Sequence, residues 1–176
     1  MTEADKNFIE TCKKIIKEGY SSKGTNVRTR WQDGTEANYI SIVGVSNKYD
    51  VGKEFPMITL RNNSKTVYRA IDEILWIWQK KSNAVKDLNS HIWDQWVDEN
   101  GTIGKAYGYQ LGKKYTFKTK EGLKEMDQVD YVLYLLKNDP SSRRIMTNIF
   151  NHEDLKDMML EPCAYGTQWL VKGGIL

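Results

Sequence analysis

The chain has 176 residues, 40% of them hydrophobic and 11% aromatic, enough for one domain with a substantial core and unlike disordered, fibrous or collagenous chains. Its 26 basic and 23 acidic residues leave a net charge of +3, too small an excess to imply a nucleic-acid surface without a clustered patch. Cys12 and Cys163 form no metal-like or CxxC spacing, and no apolar run reaches membrane-spanning length, so a cytoplasmic, reducing setting without a metal site is expected.

Phe8, Ile9, Cys12, Ile15 and Ile16 recur at helical spacing over residues 3–18, with Gly19 placed to end the helix. Cys12 therefore reads as a core residue. The polar stretch to about residue 37 predicts an exposed loop, and the β-branched run at 39–45 predicts a strand. Val67, Ile71, Ile74, Leu75 and Trp78 predict a helix over 64–79 buried on one face, with Glu73 among them.

Residues 91–110, HIWDQWVDENGTIGKAYGYQ, concentrate Trp93, Trp96, Tyr107 and Tyr109 around glycines, as a core or as the wall of a flat-ligand pocket would. The lysine-rich LGKKYTFKTK (111–120) reads as a solvated loop or hairpin, with a basic stacking surface as its alternative. A helix is predicted over 125–137, ending near Pro140. Arg143 and Arg144 lead into a strand at 145–150, where they suit either exposed surface charge or a phosphate. A short helix at 153–160 and a strand at 165–171 follow, and Lys172-Gly173-Gly174 is turn chemistry. The expected class is α+β, a mixed sheet with flanking helices, in one domain over 1–176. Ile175-Leu176 reads as the start of a returning strand, so the chain is expected to be the N-terminal portion of a longer protein.

Four motifs in order, EILWIWQ (73–79), HIWDQWVDENGTIGKAYGYQLG (91–112), DPSSRRI (139–145) and EPCAYGTQW (161–169), resemble thymidylate synthases, particularly the branch of Gram-positive bacteria and their phages. The resemblance implies a thymidylate synthase-like fold, incomplete at its C-terminus, and reductive methylation of dUMP to dTMP with 5,10-methylenetetrahydrofolate as one-carbon donor and reductant. It implies that Cys163 attacks C6 of the uracil as a thiolate, which needs a cationic neighbourhood. By the same resemblance Glu73 moves protons on the O4 side, Tyr107 takes part in loss of the C5 proton, and Trp93 and Trp96 flank the folate. Arg28, Arg143 and Arg144 match phosphate-binding arginines. The pair at 143–144 matches residues that reach a partner's site, which implies a homodimer.

Three departures stand against the family pattern. Ala164-Tyr165 follows the cysteine where many members have histidine, a variation the Gram-positive branch tolerates. Residues 55–73 form a longer stretch than the usual loop, with Leu60-Arg61 in place of its Thr-Lys, so no folate contact is assigned there. The family's later motifs, which carry further phosphate, uracil and ribose contacts, do not follow Leu176, so the chain alone is expected to be inactive. Two other readings remain: a deoxypyrimidine nucleotide hydroxymethylase, and a non-enzymatic remnant binding nucleotide, RNA or a partner.

Overall fold

A computed structural model describes every residue except Asn62 and Asn63, which fall inside the long 55–73 stretch. Two compact units form, residues 1–64 and 65–176.

The first unit opens with α1 (Glu3–Glu18), whose start is set by a reciprocal cap. The Asp5 N–H donates to the Thr2 hydroxyl at 3.1 Å, and the Thr2 N–H donates back to the Asp5 carboxylate at 2.9 Å. Asp5 is fully buried and also accepts from the backbone and hydroxyl of Thr59, each at 2.6 Å, which ties the far end of the unit to the helix start. Two-residue strands β1 (Tyr20–Ser21) and β2 (Ile40–Ser41) pair antiparallel. The strand expected over 39–45 stops at Ser41: Val43 is 86% exposed and Gly44 adopts φ 73°, so neither packing nor backbone continues the ladder. Cys12, expected in the core, is only half-buried, and Ile16 on the same helix is exposed.

From residue 65 the second unit continues α2 (Ser64–Ile74), which passes directly into a π-turn, Leu75–Gln79, marked by the Lys80 N–H bonding to the Leu75 carbonyl at 3.0 Å; the helix expected over 64–79 with one buried face thus ends at Ile74, and Ile71, Ile74 and Leu75 are exposed. That wider turn brings Trp76 and Ile77 into the core, where they meet Trp93, Ile103, Tyr107 and Leu111. The aromatic stretch 91–110 is thus mostly core. The short helix α3 (Gly108–Gly112) follows Tyr107, and β3 (Tyr115–Thr119) with β4 (Gly122–Met126) form an antiparallel hairpin. The lysine-rich stretch is this hairpin. Lys113 and Lys114 are ion-paired and Phe117 stacks on Tyr131 with ring centres 3.8 Å apart, whereas Lys118, Lys120 and Tyr115 are exposed.

Helix α4 (Gln128–Asn138) begins one residue after its cap Asp127, whose side chain accepts from the Asp130 N–H at 3.0 Å; the predicted first residues of this helix belong to β4 instead. Strands β5 (Met146–Asn148) and β6 (Gly166–Gln168) pair antiparallel, with Thr147 opposite Thr167. Gly166 is required there, because a side-chain carbon would lie 2.6 Å from the Thr147 carbonyl oxygen. The helix predicted at 153–160 is a single 3₁₀ turn, Leu155–Asp157, preceded by the buried, heavily hydrogen-bonded Asp154. At 172–175 a two-residue turn with Gly173 at φ 60° and Gly174 at φ 78° closes two backbone hydrogen bonds between Lys172 and Ile175. The class is α+β as expected. Among the described residues, however, the strands form three separate two-stranded antiparallel ladders rather than one mixed sheet.

Candidate functional site

Cys163 lies in the loop just before β6, exposed, with buried Pro162 on its N-terminal side. The loop is fixed immediately beyond it, where the Tyr165 carbonyl accepts from the Ile149 N–H at 2.7 Å. The backbone N–H of Cys163 donates to the hydroxyl oxygen of Tyr107 at 3.0 Å, leaving the phenolic proton free for another acceptor. Tyr107 is 9% exposed and holds φ 38°, a left-handed conformation that an L-residue keeps only where its surroundings enforce it. Burial pushes its phenol above the ordinary value. The Cys163 amide bond opposes that shift, and the nearby Cys163 and Glu73 groups add to it.

Glu73 is half-buried, one residue before the end of α2, and accepts the indole N–H of Trp93 at 2.6 Å. Trp93 is enclosed by three rings, with centres 6.4 Å to Trp76, 5.6 Å to Trp96 and 5.5 Å to Tyr107. One aromatic cluster therefore holds Glu73 on one side and, through Tyr107, the Cys163 loop on the other. Trp96 is only half-buried at the margin of this cluster. Part of the Trp96 ring stays accessible, whereas Trp93 is 7% exposed.

Within the second unit, Arg143 and Arg144 are placed away from this cluster. Arg143 and Arg144 are exposed at the end of the β5–β6 ladder where β5 begins, whereas Cys163 enters at the opposite end, where β6 begins. The Arg143 carbonyl accepts from the Gln168 amide at 2.9 Å, which fixes the backbone and leaves the guanidinium free to point outward. Arg28 is exposed in the first unit. None of the three makes an ion pair among the described residues. Among those residues no group of three or more His, Cys, Asp and Glu could hold a metal ion, and no helix is long and apolar enough to cross a membrane.

Two buried carboxylates in this unit were not singled out from the sequence. Asp127 accepts from Lys81 at 2.7 Å and Lys114 at 2.9 Å, and Asp154 accepts from Gln110, Lys105, Lys113 and Asn151. Burial works upward on Asp127, but the two lysine bonds outweigh it and hold its carboxyl at about 2. The Gln110 bond, then the lysines, hold Asp154 at about 2 as well, against burial. The nearest local hint for Asp127 was its position as a helix cap.

A family model described as Thymidylate synthase matches residues 6–176. The chain belongs to the thymidylate synthase family. It is 49% identical over 181 aligned positions to the thymidylate synthase of Bacillus subtilis subsp. natto, covering all of this chain and 62% of that protein. A thymidylate synthase of Bacillus phage phi3T is 48% identical with the same coverage, in keeping with the bacterial and phage branch that the motifs indicated. Among solved structures, thermostable thymidylate synthase A from Bacillus subtilis superposes with a TM-score of 0.86 at 47% identity, over 98% of this chain and 61% of that one. The chain thus spans about three-fifths of the length of the thymidylate synthases it matches.

Proposed function

We propose that this chain supplies the nucleophile-bearing portion of a thymidylate synthase that converts dUMP to dTMP. The observation that carries the reading is the join of Cys163 to Tyr107 and of Glu73 to Trp93 in one aromatic cluster. The Cys163 thiolate would add to C6 of the uracil, with the ring electrons moving toward C5 and O4. Glu73, held by the indole N–H, would exchange protons on the O4 side. Tyr107, a neutral phenol with its hydroxyl beside Cys163, would position the water or base that takes the C5 proton. Trp96 would offer a ring to the planar part of the folate and exclude water from it. Methylenetetrahydrofolate would supply the one-carbon unit and the reducing hydride, leaving as dihydrofolate.

Arg28, Arg143 and Arg144 would hold the phosphate. The position of Arg143 and Arg144 at the far end of the ladder from Cys163 supports their serving the site of a second copy in a homodimer. The test is covalent trapping with 5-fluoro-dUMP and methylenetetrahydrofolate, read by intact-protein mass spectrometry, because fluorine at C5 prevents proton loss. The chain is tested alone and joined to the remainder of the Bacillus subtilis relative, whose parent enzyme is the positive control. The joined form is expected to gain nucleotide and folate mass, Cys163→Ser to gain none, and the chain alone to gain none. A folded joined form that stays unmodified while the parent is trapped would overturn the assignment; an adduct on the chain alone would overturn its inactivity.

A further inference from the structure

Among the described residues, the two non-glycine positions with positive φ are Lys81 at 53° and Tyr107 at 38°. Both adjoin α3. A side-chain carbon on Gly108, the first residue of that helix, would lie 2.8 Å from the Ser82 backbone nitrogen, and one on Gly112, its last, would lie 3.2 Å from the Lys81 Cβ. The helix that begins just after Tyr107 is therefore seated along its length on residues 81 and 82. Those residues are in turn fixed from below. The Lys81 ammonium bonds the Asp127 carboxylate, 3% exposed, at 2.7 Å and Asp130 at 3.0 Å, both at the start of α4. The Ser82 N–H, just beyond the π-turn, donates to the Trp76 carbonyl at 3.2 Å.

We propose that Lys81 is a positioning residue that, by anchoring the seat of α3 to Asp127, holds Tyr107 in its strained conformation and so keeps the Cys163 amide on the Tyr107 hydroxyl. A conformation of this kind persists only where its neighbours over-determine it. A single helical turn such as α3 has little stability of its own, so its seat decides where its first residue points. The catalytic meaning of the clamp rests on the proposed role of Cys163 and Tyr107. Its geometry does not, and the following test uses neither nucleotide nor folate, so trapping and clamp can fail separately.

Because Cys12 and Cys163 are the chain's cysteines, labelling with 15N-cysteine gives two amide signals, one from each compact unit. Tyr107→Phe defines the Cys163 signal without its hydrogen bond. Lys81→Met keeps the alkyl packing and removes the charge. It is expected to move the Cys163 signal toward the Tyr107→Phe position and to raise its exchange rate roughly tenfold, leaving Cys12 unmoved. Lys81→Arg should restore the parent signal. Lys114→Met removes the other lysine from the same Asp127 without touching the seat, and should leave Cys163 in place. An unmoved Cys163 signal in Lys81→Met, when Tyr107→Phe does shift it, overturns the proposal, as does an equal shift in Lys114→Met. Should Lys81→Met fail to fold, Asp130→Asn takes its place, with a smaller shift in the same direction expected and no shift overturning the idea.

Discussion

The Cys163 amide and the Tyr107 hydroxyl, 56 positions apart in sequence, are hydrogen-bonded at 3.0 Å. Replacing Tyr107 by Phe removes this one bond and keeps the ring, and should cost about 1 kcal/mol in urea unfolding. Tyr107→Ala also empties the space beside Trp93 and should cost roughly 4 kcal/mol. Equal losses for the two would show that the hydroxyl, rather than the ring, holds the cluster.

Trp93 and Trp96 should separate cleanly. Trp93→Phe strips the donor from Glu73 and opens a gap among three rings, for a loss of about 2 to 3 kcal/mol. Trp96→Phe, at the half-buried margin, should stay under about 1 kcal/mol. Thermal unfolding of both variants checks the order. If Trp96 binds the planar ligand, its replacement should instead weaken folate binding.

Acid should unfold the second unit within a defined window. Asp127 and Asp154 have carboxyls lowered from 3.8 to about 2, so between those values the unfolded chain binds more protons than the folded one. The stability they confer is complete above pH 4 and is lost as pH falls toward 2. Asp127→Asn should flatten that slope in a pH series of urea midpoints; an unchanged slope would place the acid sensitivity elsewhere.

Lysines of the hairpin region should differ by their partners rather than by their charge. Lys113 bonds Asp154, whose side chain is 6% exposed, while Lys118 is exposed and makes no ion pair among the described residues. Lys113→Met should lower the urea midpoint, and Lys118→Met should leave it unchanged. If this surface bound RNA, Lys118→Met would reduce salt-dependent binding, which filter retention would register.

Local chemistry made several elements readable in advance. Gly19 ends α1 as expected, and the spacing of Val67, Ile71 and Ile74 marks α2, although the buried face expected of it is absent, since Ile71 and Ile74 are exposed. Gly173-Gly174 supplies the two positive φ angles of a tight turn. The ordered motifs around Glu73, Trp93, Tyr107 and Cys163 identified the family, since each is a contiguous run. Propensity misled where packing was missing: the 39–45 run has the composition of a strand, yet with Val43 and Val45 exposed nothing holds it extended beyond Ser41.

By itself the sequence determined the family and the α+β class and named candidate residues for the chemistry, because those follow from side-chain type and short-range spacing. The tertiary structure alone decided that Tyr107 bonds the Cys163 amide, that Trp93 turns its N–H to Glu73, and that Lys81 reaches buried Asp127. Each of these joins residues 20 to 56 positions apart. Such contacts form only when the core closes, so no local preference records them. The π-turn that carries Trp76 inward belongs with them, since what fixes it is the core beneath it rather than the residues within it.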